Sequence, residues 1–304
     1  FPLGWPAMNV SPVDLVVIGA YFALMIVIGL VFKTFSSSLS DYVRAGAKGS
    51  WWLVGTSIFV AGFSALTFTG ISGQAYIAGW SVLIIFWTNA LVFFVQAGVV
   101  GPWFRQTRSI TPGDVIRKRF GVPTEQLFVC AGVFGAMLWG GLMLLGLATF
   151  VAAVFGINIV VVILVVGVIV GFYSVAGGNW GVMATDYVQS LILLAITITV
   201  SVLCLDALGG VGGLFEKIRE MGISADFAMM KQPGHTYSVD FPMEANRFTF
   251  FWITMSVVNS MIHAFNPGTS YRFLSVKDGR SARKAALLAG ILMLVGSFVW
   301  FIPA

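Results

Sequence analysis

Long apolar runs recur along this chain, and they restrict its fold more than any other feature. The first, from Val13 to Phe32, has one charged residue, Asp14, near its start. Roughly 20 residues of helix cross the hydrocarbon core of a bilayer. Only 10% of the residues are charged and 58% are hydrophobic, whereas soluble domains carry about 25% charged residues. The sequence therefore predicts an all-α membrane protein.

Eight transmembrane helices are predicted, separated by short polar segments and by one long one. The predicted spans are Val13–Phe32, Trp51–Ala78, Val82–Phe104, Gln126–Phe155, Ile157–Tyr173, Val182–Leu205, Phe248–Phe265 and Ala285–Ile302. A turn, SVAGGNWGVMATD, separates the fifth and sixth spans, and the polar segment after the sixth contains an amphipathic stretch, GLFEKIREMG. Because the chain starts at Phe1 without a cleavable signal pattern and stops at Ala304 as a helix finishes, we interpret it as a fragment.

The distribution of basic residues predicts the orientation in the membrane. Of the 17 Lys and Arg residues, 13 lie in the segments after the first, third and seventh spans. The positive-inside rule places these segments in the cytoplasm and the N-terminus outside, for a multi-pass protein of the cell membrane. This explains the net charge of +5 better than nucleic-acid binding, so we expect lipid and no nucleic acid as partners.

The second span is unusually rich in small and hydroxylated residues. Its middle contains Ser64, Thr67, Thr69, Gly70, Ser72, Gly73 and Gln74. Two interpretations stay open at this point. Irregular backbone could expose carbonyl groups to a cavity in the membrane, or the small residues could form a face that packs against neighbouring helices.

Asp186 is the most informative ionisable residue. A carboxylate within a span is costly unless a cation, a proton or a basic partner meets it, and the fifth and sixth spans contain no basic residue. One interpretation is a cation site, since hard cations prefer oxygen ligands. The other is a cap at the N-terminus of the sixth helix, favoured by the helix dipole.

The seventh span carries a second polar group of residues. Asn259 and His263 lie four residues apart, on one face of a helix. This face could line a cavity, or it could join helices through hydrogen bonds.

Enzyme signatures are absent from the sequence. It has two His residues and no HExxH, GxSxG or GxxxxGK motif. Both Cys residues, Cys130 and Cys204, lie in apolar runs, where a packing role fits better than a disulfide. We therefore expect neither enzymatic activity nor an organic cofactor.

Three segments resemble the sodium:solute symporters, the sodium–glucose cotransporter family. They are WWLVGTSIFVAGFSALTFTGISGQAYIAG, FYSVAGGNWGVMATDYVQSLI with its GG and TD-x-x-Q elements, and YRFLSVKDGRSARKA. The resemblance implies the inverted-repeat, broken-helix fold of leucine-transporter-like proteins. It implies one membrane domain, with a leading helix (13–32), a first five-helix repeat (51–205), an extracellular loop (206–247) and two helices of a second repeat (248–304).

The resemblance also implies site residues. Backbone carbonyls of Val60 and Phe63 would bind Na⁺, and Asp186 would contribute to a second cation site or to coupling. Thr67 and Asn259 match positions that face the solute in family members. Ser64, Gln74 and His263 are further candidates for solute binding. Since exposed carbonyls would serve ion and solute, we expect the second span to be irregular within Phe59–Gly70. Tyr271 departs from the family pattern, since many members have Gln before the Arg.

The implied function is sodium-coupled symport of a small solute by alternating access, with Na⁺ as coupling ion. The alternative is a membrane sensor module attached to a cytoplasmic kinase domain. The sequence leaves sugars, monocarboxylates, amino acids, vitamins and urea-like solutes open.

Overall fold

The computed structural model describes residues 11–62, 67–239, 243–244 and 246–303. Within these residues the regular elements are helices, and the only extended pairings are two isolated bridges. The α-helices are α1 Pro12–Lys33, α2 Leu39–Arg44, α3 Trp51–Val60, α4 Ser72–Ala78, α5 Leu83–Val95, α6 Gly101–Gln106, α7 Pro112–Phe120, α8 Val122–Phe155, α9 Ile159–Ala207, α10 Gly210–Glu220, α11 Phe250–Ala264, α12 Pro267–Ser270 and α13 Gly279–Phe301.

Five helical stretches in the described part are long and apolar enough to cross a membrane: Pro12–Lys33, Ser72–Gln106, Val122–Phe155, Ile159–Ala207 and Gly279–Phe301. Two further apolar helices, α3 and α11, are shorter. The predicted sixth span, and the fifth apart from its first two residues, fall within α9. A count of eight spans thus remains a prediction, while the membrane character of the chain is evident from its helices.

α8 shows how the chain meets its surroundings. Along this helix large apolar side chains are mostly exposed, such as Phe134 at 72% and Leu138 at 68%. In water such a surface would be strongly unfavourable, whereas lipid solvates it. The helix begins at Val122 and not at the predicted Gln126, because Pro123 is well tolerated in a first helical turn.

The core lies where α13 packs between α3 and α5. Small residues on α13, among them Ala285 and Ala289, are fully buried and let the helices approach closely. The ring of Trp300 lies 5.6 Å from that of Phe59 and 5.8 Å from that of Phe86. These buried aromatic rings join α3, α5 and α13 into one packed unit.

α9 is two helices joined at one residue. Gly178 has φ 55° and ψ −157°, a conformation essentially restricted to glycine. The predicted 13-residue turn is therefore wrong, since a single glycine redirects the chain while both flanks stay helical. Gly178 also packs closely against Tyr42. A Cβ at this position would lie 2.8 Å from Cδ2 of Tyr42, so a larger residue would clash.

The residues around this bend also attach α1 to α9. A Cβ on Gly29 would lie 2.8 Å from the carbonyl oxygen of Tyr173, and one on Gly177 would lie 3.1 Å from that of Gly29. Further along α9, Gln189 donates a hydrogen bond to the Tyr21 hydroxyl, at 2.9 Å. Several residues of the GG…TD-x-x-Q segment thus hold the leading helix in place.

Gly178→Ala is expected to destabilise the protein by roughly 2–3 kcal/mol, since it combines a forbidden backbone conformation with a clash at Tyr42. Thermal unfolding in detergent measures the effect. Gly171→Ala is the matched control on the same helix, because its new Cβ would meet nothing within 4 Å. Equal unfolding temperatures for the two variants would contradict the role of Gly178.

The segments that carry most of the basic residues meet at one end of the helices. Arg44 donates to the carbonyl of Ser109 at 2.9 Å, and Arg105 donates to that of Val276 at 2.6 Å. The Gly49 amide donates to the Ser275 carbonyl at 2.8 Å. These contacts agree with the predicted grouping of the three basic segments on one side.

At the opposite end, the long segment after α9 folds over the end of α4. It begins with α10, which corresponds to the predicted amphipathic stretch. Further along, Lys231 is only 3% exposed. Its ammonium group, with three N–H donors, lies within hydrogen-bonding distance of the carbonyls of Ala78, Ala225, Asp226 and Ala228. Burial lowers the pKa of Lys231 from 10.5 to about 8, against the opposing effect of the Asp226 charge.

Lys231→Met is expected to loosen this loop, because buried carbonyls lose their donor at a cost of about 1–3 kcal/mol. Faster amide hydrogen exchange over 221–231 would report it. Lys217→Met is the control, since the Lys217 side chain is 58% exposed.

The same pair of variants tests a pH dependence. Between pH 8 and 10.5, Lys231 is protonated when the loop is detached and its side chain is in solvent. It is deprotonated when the loop is docked on α4 and its side chain is buried. Docking of the wild-type loop should therefore strengthen as the pH rises through this window, and this gain is lost as the pH falls through 8. The Met variant should lack the slope, and an identical slope in both would exclude Lys231 as its source.

Candidate functional site

The second predicted span is interrupted in its middle. α3 ends at Val60, a π-helical turn covers Thr67–Ile71, and α4 begins at Ser72. The predicted interruption within Phe59–Gly70 is therefore confirmed for the described residues. Phe63 and Ser64, predicted to bind ion and solute, lie outside those residues.

Val60 lies at the C-terminal end of α3, next to this interruption. The last carbonyls of a helix carry partial negative charge and lack partners within the helix. In broken-helix transporters such ends coordinate cations. Val60 thus lies at the end of α3, where the family resemblance predicts a backbone ligand for Na⁺.

Asp186 faces the interior, against the last turns of α3. Its carboxylate accepts a hydrogen bond from the Ser57 hydroxyl and one from Arg272 Nη1 at 2.9 Å. Arg272 also donates to the Ser57 hydroxyl. The side chains of Asp186 and Arg272 are 14% and 13% exposed. Ser57, Asp186 and Arg272 form a compact polar cluster, called the Asp186 cluster below.

The Asp186 cluster corrects two expectations from the sequence. Asp186 has a basic partner, Arg272, which the α12–α13 connection brings to it from outside the fifth and sixth spans. It is also no helix cap, since it lies eight residues beyond Gly178, past the first turn where a cap and the helix dipole act. Its carboxylate binds side chains of other elements instead.

Ser57 was missed by the sequence-based reasoning. It is fully buried and lies three residues before Val60 on α3. A hydroxyl at helical spacing from a suspected ion ligand is a weak signal that could have indicated it. Through Ser57, the Asp186 cluster is connected to the helix end at Val60.

The predicted solute residues fall into two groups. Thr67 is 3% exposed, beside the interruption. On α4, Gln74 has a buried Oε1 that accepts no hydrogen bond from any described residue. Asn259 and His263 are exposed on α11, which packs against α5. That this face of α11 lines a cavity therefore remains one of the two interpretations of the sequence.

Solved structures identify the fold class. A Na⁺-coupled sialic acid symporter, in a substrate-bound outward-open state, matches with a TM-score of 0.78 and 17% sequence identity. The match covers 96% of this chain and 59% of that one. The chain thus has the broken-helix fold of that symporter, which the sequence predicted.

The sodium:solute symporter family model matches residues 42–302, and the chain belongs to this family. The sodium/glucose cotransporter of Vibrio parahaemolyticus is 26% identical over 97% of this chain and 55% of its own length. Rat sodium/glucose cotransporter 2 is 29% identical over 73% of this chain and 34% of its own length. The sodium/sialic acid symporter of Proteus mirabilis is 26% identical over 67% of this chain and 41% of its own length.

The chain thus spans about half, or less, of the length of these relatives. The family and these relatives are transporters and not enzymes.

Proposed function

We propose that this chain forms the ion- and solute-binding part of a sodium-coupled symporter, which moves a small solute by alternating access. The observation that carries the proposal is the largely buried carboxylate of Asp186, which lies against α3 just before that helix breaks. A carboxylate and a helix C-terminus both attract a cation, and here they lie about one helical turn apart along α3.

Coupling would arise from competition at Asp186. In the structure Arg272 satisfies the carboxylate. A cation that replaced the guanidinium would release the α12–α13 connection from Ser57 and Asp186. Sodium would then favour one conformation by the difference between its affinities for the two states. The Val60 and Phe63 carbonyls would hold the other sodium ion.

The solute is proposed to be small and rich in hydroxyl groups. Relatives are named for glucose, myo-inositol and sialic acid. In this chain the open acceptor on Gln74 can receive a hydrogen bond from a solute hydroxyl, with Ser64, Thr67, Asn259 and His263 as further candidates. The three named compounds are the first to test as ligands of the purified protein, by thermal stabilisation with sodium or choline as the cation. Stabilisation that is independent of sodium would argue against coupled binding.

We propose a cell-membrane location with the basic end of the helices in the cytoplasm and the N-terminus outside. The clustering of the basic segments supports this through the positive-inside rule. Single cysteines placed within 117–119 or 280–284 should resist an impermeant thiol reagent added outside intact cells. Efficient labelling at either place would reverse the orientation. None of the relatives named above is described as a kinase-linked sensor.

A further inference from the structure

A groove of about 500 Å³ opens at the basic end of the helices, between α1, the start of α3 and α9. Its walls are apolar and include Ile28, Phe32, Leu53, Trp180 and Val188. Trp52, which is 43% exposed, forms part of its edge and packs edge-on against Tyr187 with ring centroids 5.0 Å apart. Because α1 and α3 are membrane helices, we expect the groove to open toward the acyl chains of the bilayer.

The polar end of the groove is cationic. Lys48 lines it and is exposed. Among the described residues its ammonium group makes no hydrogen bond or ion pair, although its charge interacts with that of Asp41. The connection from 33 to 50 contains Lys33, Arg44 and Lys48 and one acidic residue, Asp41. The Asp41 carboxylate accepts hydrogen bonds from the Ser37 and Ser38 hydroxyls. The segment therefore carries positive charge that a negative group could neutralise.

The first turn of α3 supports an anion at the same place. Ser50, which also lines the groove, is the N-cap residue of α3, but its side chain makes no capping hydrogen bond. The amide groups at the start of this helix are thus left to other acceptors, and helix N-termini favour phosphate. Trp51 and Trp52 are the kind of aromatic residues that mark the interface of a bilayer.

We propose that this groove binds an anionic phospholipid. One acyl chain lies along the apolar walls, and the phosphate group lies beside Lys48 and the start of α3. Apolar walls with a cation at the interfacial end fit a charged lipid better than a free anion or a neutral lipid. Because α3 and α9 form the groove and also carry Ser57 and Asp186, the lipid would stabilise the packing that supports the Asp186 cluster.

The test uses the protein at its full natural length, purified in detergent, with phosphatidylglycerol and phosphatidylcholine of identical acyl chains. Binding is measured by native mass spectrometry and by thermal stabilisation. The wild-type protein should prefer phosphatidylglycerol. Lys48→Gln should weaken phosphatidylglycerol binding about five-fold, since one basic residue near an anionic lipid contributes about 1 kcal/mol. Its binding of phosphatidylcholine should not change.

Two controls separate this site from general attraction to a basic surface. Lys33→Gln removes an exposed charge from the same connection but outside the groove, and it should bind phosphatidylglycerol like the wild type. Val188→Phe narrows the groove and should weaken both lipids.

The proposal is overturned by any of three outcomes. The first is that Lys48→Gln and Lys33→Gln lose equal affinity for phosphatidylglycerol. The second is that the wild type binds phosphatidylglycerol and phosphatidylcholine equally well. The third is that inorganic phosphate stabilises the protein as much as phosphatidylglycerol does. Lys33 and Lys48 are exposed, so their replacement should not affect folding. The comparison of the two lysine variants therefore still tests the proposal if Val188→Phe fails to fold.

Discussion

Replacing Asp186 with Asn is expected to raise the sodium concentration for half-maximal uptake at least tenfold. The variant should also lose some stability, because Arg272 is left without its anionic partner. Asn keeps the size of the side chain and can still accept a hydrogen bond from Ser57. It removes the negative charge, and a tenfold loss of affinity corresponds to only about 1.4 kcal/mol. The measurement is solute uptake against sodium concentration at matched expression.

The control for this variant lies on the same helix. Asp206→Asn changes an exposed carboxylate near the C-terminal end of α9 and should leave the sodium dependence unchanged. If Asp186→Asn also gave the wild-type sodium curve, Asp186 would be a structural partner of Arg272 and no part of a cation site.

Replacing Arg272 with Gln should have two opposite effects. Without sodium, the protein should lose about 3 kcal/mol of stability, because the variant leaves a largely buried carboxylate without its cationic partner. With sodium, much of this loss should be recovered, because Na⁺ can now compensate Asp186. Thermal unfolding in sodium chloride and in choline chloride separates the two effects.

A double variant and a surface control complete this experiment. Combining Arg272→Gln with Asp186→Asn removes both charges and should restore stability in choline, with little further gain from sodium. Arg280→Gln changes an exposed residue of the next helix, α13, and should be neutral in both salts. A sodium response that is the same in all three variants and the wild type would contradict competition between Arg272 and the cation.

The sequence predicted those features that depend on local composition. Small and hydroxylated residues made an interruption after Val60 one of two interpretations, and the family resemblance favoured it. The sequence also predicted that the basic segments lie together at one end of the helices, because Lys and Arg concentrate on one side of a membrane. The family resemblance supplied the fold and the residues around Asp186.

Features that depend on distant contacts could not be predicted. Asp186 and Arg272 are 86 positions apart, and only the packing of α9 against α3 and the α12–α13 connection brings them together. The apparent turn before Asp186 was misjudged for a different reason. Its glycines suggested a loop, yet Gly178 alone adopts the conformation that breaks the helix.

The burial of Lys231 also had no sequence signal. The loop that contains it is polar, and a lysine in such a segment is expected to be solvated. Only the tertiary structure places the carbonyls of Ala78 and of the loop around its ammonium group.

The central proposal is that a sodium gradient drives solute entry through this fold. Its most direct test is uptake into liposomes that contain the protein at its full natural length, under an inward gradient of sodium and under a matched gradient of potassium. For a solute identified by binding, the sodium gradient should drive accumulation above the external concentration, and dissipating that gradient should release the solute. Equal accumulation under both gradients, or equilibration without accumulation, would contradict sodium-coupled symport.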